Sequence, residues 1–329
     1  MRAVVADVLG APETANIREV DRPLLKDGHV RIKVHYAGVS FVTALVAAGH
    51  YQVKPALPFI PGDEFSGLVT ELSSAASGLS VGDRVFATGF GGAFAEEAVV
   101  PATQVHRIPD RMSLCQAAIF RGAYTSAYHA LVQCGRLASE EILVVLGAGG
   151  SSGLAAIEVG RALGARVIGS ASSEIKRARA LAAGAELVLE GDAPDWRYQL
   201  KAATQGHGAD VVFDPVGGDA TERAFRSLAW NGRHLVFGFA AGAIPRLPTN
   251  LALLKGASLI GVDKRQFAAR DPLQAQANTE TLFSLFENGK LTASVDRELP
   301  FAQFADALTL VREGGEAGRI VLRILDSTP

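Results

Sequence analysis

Hydrophobic and polar positions change rhythm along the 329-residue chain. Early on the period is two: Val30, Ile32 and Val34 alternate with Arg31, Lys33 and His35. That is the pattern of a strand with one wet face. Turn signals recur at Lys26-Asp27-Gly28, Pro61-Gly62-Asp63, Ser80-Val81-Gly82-Asp83 and Phe90-Gly91-Gly92. Short strands separated in this way predict a compact antiparallel, barrel-like domain over 1–110. Residues 113–134 carry helical spacing, and strand and helix then alternate. Ile142–Leu146 is a continuous apolar run, as expected of a strand buried on both faces. Helices are predicted at 151–164, 174–184, 195–204 and 219–230. Strands are predicted at Arg166–Gly169, Leu187–Leu189, Asp210–Phe213, His234–Phe237 and Leu259–Val262. Such alternation over about 120 residues predicts a doubly wound parallel sheet. The tail gives a helix at 273–288, a segment Thr292–Leu299, a helix at 301–313 and a strand at Ile320–Ile324. It is not another strand-helix-strand unit, so it is assigned to the first domain. That domain is then discontinuous, 1–122 and 265–329, around a second domain of 123–264.

Composition narrows the function classes. The chain is 48% hydrophobic and 20% charged, an ordinary globular balance. Its net charge of −2 offers no basic excess for nucleic acid or anionic membranes. No apolar run approaches the roughly 18–20 residues of a membrane span. The first residues read straight into a strand without an apolar leader, so no signal peptide is expected. Two cysteines, Cys115 and Cys134, are too few for a disulfide framework or a cysteine-based structural zinc site. They suggest a reducing, cytoplasmic setting.

The strongest chemical signal is Leu146-Gly147-Ala148-Gly149-Gly150-Ser151-Ser152-Gly153. It follows a buried strand and opens a helix. A dinucleotide pyrophosphate needs free backbone N–H groups, a positive helix end and no obstructing side chains. The register is A-x-G-x-x-G, through Ala148, Gly150 and Gly153. A plain strand-to-helix turn is the alternative, and the strand-helix context favours dinucleotide binding. A carboxylate at the end of the next strand would bind the ribose 2′-OH of NAD. Here Ser170-Ala171-Ser172-Ser173 stands there, with Lys176 and Arg177 just beyond. The missing carboxylate and nearby cations favour NADPH, with Ser172, Ser173 and Lys176 as contacts. A solvated helix face is the competing reading of the two cations.

At this point the chain resembles a known family. The segments "AGVSFVTALVAAGHY" (37–51), "LPFIPGDEFSG" (57–67), "VGDRV" (81–85), "GGAFAEEAVVP" (91–101), "TSAYHAL" (125–131), "VFDPVGGD" (212–219) and "GRHLVFGFAAGAIPRLPTNLALLKGASLIGV" (232–262) resemble the zinc-free quinone oxidoreductase branch of the medium-chain dehydrogenase/reductase superfamily. The likeness covers nearly the whole chain. It implies an α/β protein: a Rossmann doubly wound parallel sheet plus a discontinuous GroES-like β-rich catalytic domain. The active site would lie in the cleft between them. The zinc-dependent branch binds its catalytic metal through Cys, His and Cys; the corresponding places here are Ser40, Pro61-Gly62-Asp63-Glu64 and Phe120-Arg121-Gly122-Ala123. Neither thiolate nor imidazole is offered, so no metal site is expected.

The resemblance also places residues. Thr125 would face the nicotinamide. Val216 would approach the adenosine, and Phe237, Gly238 and Phe239 the nicotinamide. Where family members carry Asn-x-x-Asp, this chain has Ser40-Phe41-Val42-Thr43. Ser40 and Thr43 keep hydroxyl donors, and Tyr51 keeps a family tyrosine; these three are the candidate catalytic residues. Simple helix capping by Ser40 and Thr43, and packing by Tyr51, are the alternatives. Phe41, Phe59 and Tyr124 would line the substrate pocket. The family tyrosine after the third strand of the sheet is replaced at Leu189-Glu190-Gly191, which sets Glu190 near an anion. The implied function is NADPH-dependent hydride transfer to a small molecule, a quinone or an α,β-unsaturated carbonyl compound. An enoyl- or acrylyl-thioester reductase, with Arg121, Lys264, Arg265 and Arg270 holding a coenzyme phosphate, is a second expectation. A non-catalytic NADPH-binding protein is a third. A homodimer is expected through the apolar edge strand near 257–263.

Overall fold

The computed structural model describes residues 1–74, 76, 78–314 and 318–325. The chain divides into two compact units, Met1–Gly122 with Ala293–Pro329, and Ala123–Thr292.

The first unit is built on a strongly paired sheet. Its centre is the strand His29–Val39, antiparallel to Glu64–Leu72 on one side and to Ile320–Arg323 on the other. Glu64–Leu72 continues to Arg84–Thr88 and Val105–Arg107, and Glu97–Pro101 pairs with the first half of the central strand. The C-terminal strand is thus essential to this unit, since it brings Arg297–Pro300 in as the outer strand. The expected wet face is only partly present: Arg31, paired with Glu71 and Glu97, and His35 are buried, and Lys33 is exposed. On the other face Val30, Ile32 and Val34 are wholly buried. Each such side chain contributes about 1.5–3 kcal/mol by leaving water. A short helix, Phe41–Ala47, follows the central strand.

The second unit is a six-stranded parallel sheet. Its order is Leu187–Glu190, Arg166–Ala171, Ile142–Leu146, Ala209–Asp214, Leu228–Val236 and Ser258–Gly261. The order reverses beside Ile142–Leu146, and ligands of open α/β sheets bind at such switch points. Every residue of Ile142–Leu146 is buried.

Two expectations change. Residues 265–292 lie with the second unit, not the first. The reason is local: the unexpected helix Lys264–Arg270 stacks Phe267 on His129, with ring centroids 4.0 Å apart. Asn278, in the helix Pro272–Glu287, exchanges hydrogen bonds with Gln133. The helix expected at 219–230 spans only Gly218–Phe225. Leu228 begins the next strand because the Ala209 N–H is taken by the Ser227 carbonyl, at 3.0 Å. The edge strand Ser258–Gly261 ends the sheet as expected, with Leu259 half exposed. Among the described residues, no helix is long and apolar enough to cross a membrane.

One carboxylate ties both ends of the second unit. Glu158, buried in the helix Ser151–Ala162, accepts from the Tyr124 hydroxyl at 2.9 Å and from the Thr292 N–H at 2.6 Å. Tyr124 is wholly buried by this arrangement. It offers no surface to a substrate, which corrects its expected role as a pocket wall.

Candidate functional site

The phosphate-binding turn is shaped by absent side chains. Gly147 sits at φ +59°, and the Gly150 N–H closes the turn on its carbonyl at 3.0 Å. Gly153 packs so tightly that a Cβ there would lie 2.3 Å from the Gly147 oxygen. At Gly150 the nearest atom to an added Cβ is that same oxygen, at 3.4 Å, so the turn is open there. The helix Ser151–Ala162 starts with no side-chain cap and no acidic residue in its first turn. Its first internal bond, from the Leu154 N–H to Gly150, comes after Ser151, Ser152 and Gly153. Three amides at a positive helix end therefore face outward, as a pyrophosphate requires. Ala148 is wholly buried, its N–H bonded to the Ser170 carbonyl, and Gly149 lies against the backbone of Lys176. The residues present fit a dinucleotide phosphate.

The neighbouring strand end is more crowded than its sequence suggested. Ser172 is exposed, whereas the Ser173 hydroxyl caps the helix Glu174–Ala182, accepting from the Lys176 N–H at 3.4 Å. Arg177 lies 3.8 Å from Glu190. The carboxylate of Glu190 is thereby balanced by a guanidinium rather than standing alone near the ribose position.

The turn after Ala209–Asp214 was not anticipated as a built structure. Asp214 is almost wholly buried. It accepts from the Val216 and Gly217 N–H groups at 2.9 Å, the Thr221 hydroxyl at 2.6 Å and His234 Nε2 at 2.9 Å. Burial raises its carboxyl, but the His234, Thr221 and Gly217 hydrogen bonds outweigh that and hold it below the ordinary carboxylate value. Asp214 therefore fixes the turn that carries Val216. Beyond it, Phe237 and Gly238 both donate N–H to the Asp214 carbonyl, and Phe239 is partly exposed. Thr125 is buried in the segment Arg121–Thr125, which has π-helical bonding.

In the first unit a chain of hydroxyls ends on a carboxylate. Ser40 caps the helix Phe41–Ala47, its Oγ accepting from the Thr43 N–H at 3.0 Å. Ser40 Oγ and Thr43 Oγ1 are 2.9 Å apart, and Thr43 Oγ1 donates to Asp63 Oδ1. The capping alternative for Ser40 and Thr43 is present, and the pair also reaches a carboxylate, a link the sequence did not suggest. Asp63 comes from the Pro61-Gly62-Asp63-Glu64 turn, twenty residues away, and no spacing rule links it to Thr43. Glu64 points elsewhere, accepting from the Gly122 N–H at 2.7 Å. Arg121 donates to Thr88 Oγ1; burial pushes its guanidinium down from the usual value, with Glu64 opposing. A guanidinium so engaged is not available to hold a coenzyme phosphate. Tyr51 is half-buried and its hydroxyl has no hydrogen bond among the described residues; Phe41 is partly exposed and Phe59 buried. Among the described residues no three His, Cys, Asp or Glu side chains gather to hold a metal ion.

Comparison with known proteins agrees with this architecture. The alcohol dehydrogenase GroES-like domain family matches residues 26–110, and the zinc-binding dehydrogenase family matches 153–275. The quinone oxidoreductase-like protein 2 homolog of Nematostella vectensis is 33% identical over 324 residues, 98% of this chain and 88% of that protein. A structure from Mycobacterium abscessus, described as a probable oxidoreductase, superposes with TM-score 0.89 at 32% identity, covering 98% of both chains. A mycobacterial structure complexed with NADPH gives TM-score 0.90 at 25% identity, covering 98% of this chain and 99% of that one. The fold is that of a medium-chain dehydrogenase/reductase. Within that superfamily the chain belongs to the zinc-free quinone oxidoreductase branch.

Proposed function

We propose that this chain is an NADPH-dependent oxidoreductase that works without metal and reduces a quinone or an α,β-unsaturated carbonyl compound. The observation that carries the reading is the Ser40–Thr43–Asp63 hydrogen-bonded chain, standing where zinc ligands would otherwise be expected. When bound, the nicotinamide supplies hydride to the conjugated carbon or quinone ring, and the protein must manage the charge that develops on oxygen.

Ser40 is the outer member of the chain and donates to that oxygen. Thr43, held by its hydrogen bond to the Asp63 carboxylate, fixes Ser40 in position. As the Ser40 proton leaves for the product, water replaces it, with the half-buried Asp63 an acceptor throughout. Such positioned proton donors contribute about 10²–10⁴-fold in rate. Tyr51 is a second donor in this reading. In the other unit the outward amides of Ser151, Ser152 and Gly153 hold the pyrophosphate, and Ser172 with Lys176 receives the 2′-phosphate. Thr125, Val216, Phe237, Gly238 and Phe239 complete the cofactor contacts. The NADPH complex of the mycobacterial relative supports the cofactor. The reading includes a cytoplasmic location, consistent with free Cys115 and Cys134. It also includes a homodimer through Ser258–Gly261, whose unpaired outer edge invites a second copy.

The test is NADPH oxidation followed side by side with 1,4-benzoquinone, an enone and acrylyl-coenzyme A. Turnover of the first two is expected. Preference for the thioester would transfer the reading to a thioester reductase. Tight NADPH binding without any turnover would leave a binding protein.

A further inference from the structure

The two faces of the parallel sheet carry different chemistry. Gly160, in the helix that opens at the phosphate turn, packs on Leu143 and Val167, where an added Cβ would lie 2.5 and 3.3 Å from their methyls. Trp196, Leu200, Ala224 and Phe225 instead pack with Val144, Leu146 and Ile168. Successive strand residues point to opposite faces. The helices Trp196–Ala203 and Gly218–Phe225 therefore cover the face opposite the phosphate-turn helix.

On that face lies a pocket of about 380 Å³ lined by Arg197, Asp219, Glu222, Arg223, Arg226 and Arg246. The volume falls within the roughly 300–1,000 Å³ of small-molecule sites. Four guanidinium groups face two carboxylates. Glu222 is engaged by Arg226, at 2.6–2.8 Å. Arg197 and Arg246 are exposed and make no hydrogen bond or ion pair among the described residues. Arg223 is held rigidly. It lies over the Trp196 ring, 5.3 Å from the centroid, and its Nη2 donates to the Gly191 carbonyl at 2.6 Å. Trp196 is itself buried and anchored to Ser170 Oγ at 3.0 Å. The Arg223 Nε is buried and without a hydrogen-bond partner. A buried donor left unmade is costly, and here it sits in a preorganised guanidinium fork beside three other arginines.

We propose that this pocket is a second anion site that binds a small molecule carrying a pyrophosphate group, separately from the dinucleotide. The many oxygens of a pyrophosphate can accept from several guanidinium forks at once, and its charge matches the local excess of cations. None of the eight lining residues belongs to the phosphate turn or to the strand end at 170–177, although Gly218 lies two residues beyond Val216.

The test is calorimetric titration of inorganic pyrophosphate into the protein saturated with NADPH. Saturable one-to-one binding is expected. The double variant Arg223→Gln/Arg246→Gln should weaken it about tenfold or more, and Arg246→Gln alone, on an exposed loop, by a smaller factor. Arg166→Gln, which alters an exposed arginine paired with Glu186, should leave it unchanged. Succinate should bind at least about tenfold more weakly than pyrophosphate. The proposal is overturned by no saturable binding, by binding that disappears once NADPH is present, by an equal loss in Arg166→Gln, or by equal affinity for succinate. Loss on NADPH addition would assign the pocket to the adenosine end of the cofactor.

Discussion

The phosphate turn and the hydroxyl chain are made by opposite means. At 147–153 the chemistry comes from backbone, and glycine's contribution is what it lacks. At Ser40, Thr43 and Asp63 it comes from side chains that must be present, correctly rotated and brought together by tertiary structure. The first kind of site tolerates almost no added atoms. The second tolerates changes of shape but not of proton-carrying groups. The two sites should therefore fail differently when altered.

The largest contrast is within the turn itself. Gly153→Val drives methyl groups into the Gly147 carbonyl and should abolish the cooperative thermal transition of the nucleotide unit. Gly150→Asp has room for its Cβ, so the fold should survive. Its carboxylate faces the phosphate, and the NADPH dissociation constant should rise at least ~100-fold, which fluorescence titration would read. Retained affinity would show that no phosphate rests there. In the other site, Asp63→Asn should lower kcat about 10²-fold with NADPH affinity unchanged. An equal loss of both would erase the distinction drawn here.

Asp214 sits between the two kinds, a side chain that shapes backbone. Asp214→Asn should cost about 2–4 kcal/mol in urea unfolding, because it leaves the buried donors around it imperfectly paired. The sign of its pH dependence follows from its lowered carboxyl value. The stabilisation is complete above the ordinary carboxylate value of about 4 and is lost as pH falls further through the folded value. The variant should flatten that acid limb. Lys176→Glu should weaken NADPH about tenfold more than NADH; equal effects would remove Lys176 from the 2′-phosphate. The smallest effect concerns Cys115, whose thiol is pushed up to about 12 by burial and by Glu298. Iodoacetamide at pH 8 should leave Cys115 largely unmodified, as read by mass spectrometry.

Much of the turn was legible in the sequence because Gly147, Gly149 and Gly153 each answer a steric demand within seven consecutive residues. The parallel, doubly wound sheet followed from the alternation of strand and helix, whereas its strand order did not. The hydroxyl chain was half legible. Ser40 and Thr43 lie one helical turn apart, but the reach of Thr43 to Asp63 depends on how two separate segments fold together. Asp214 and His234 were invisible for a similar reason. Each reads as one polar residue in an apolar strand, and only the pairing of adjacent strands makes them partners. The domain limit at 265 was misplaced because what holds 265–292 is a ring stack on His129 and an amide pair with Gln133, neither of which leaves a periodic trace.

The tie at Glu158 has a consequence for how the chain matures during synthesis. The second unit has both its limits, Tyr124 and Thr292, fastened to one carboxylate within itself. It can close as soon as residue 292 clears the ribosome. The first unit begins earlier but cannot finish, because its central strand waits for Ile320–Arg323. The inserted unit is thus the first to complete, and the half-built outer unit must keep the exposed Val39 end of its sheet from other partners until the last residues arrive.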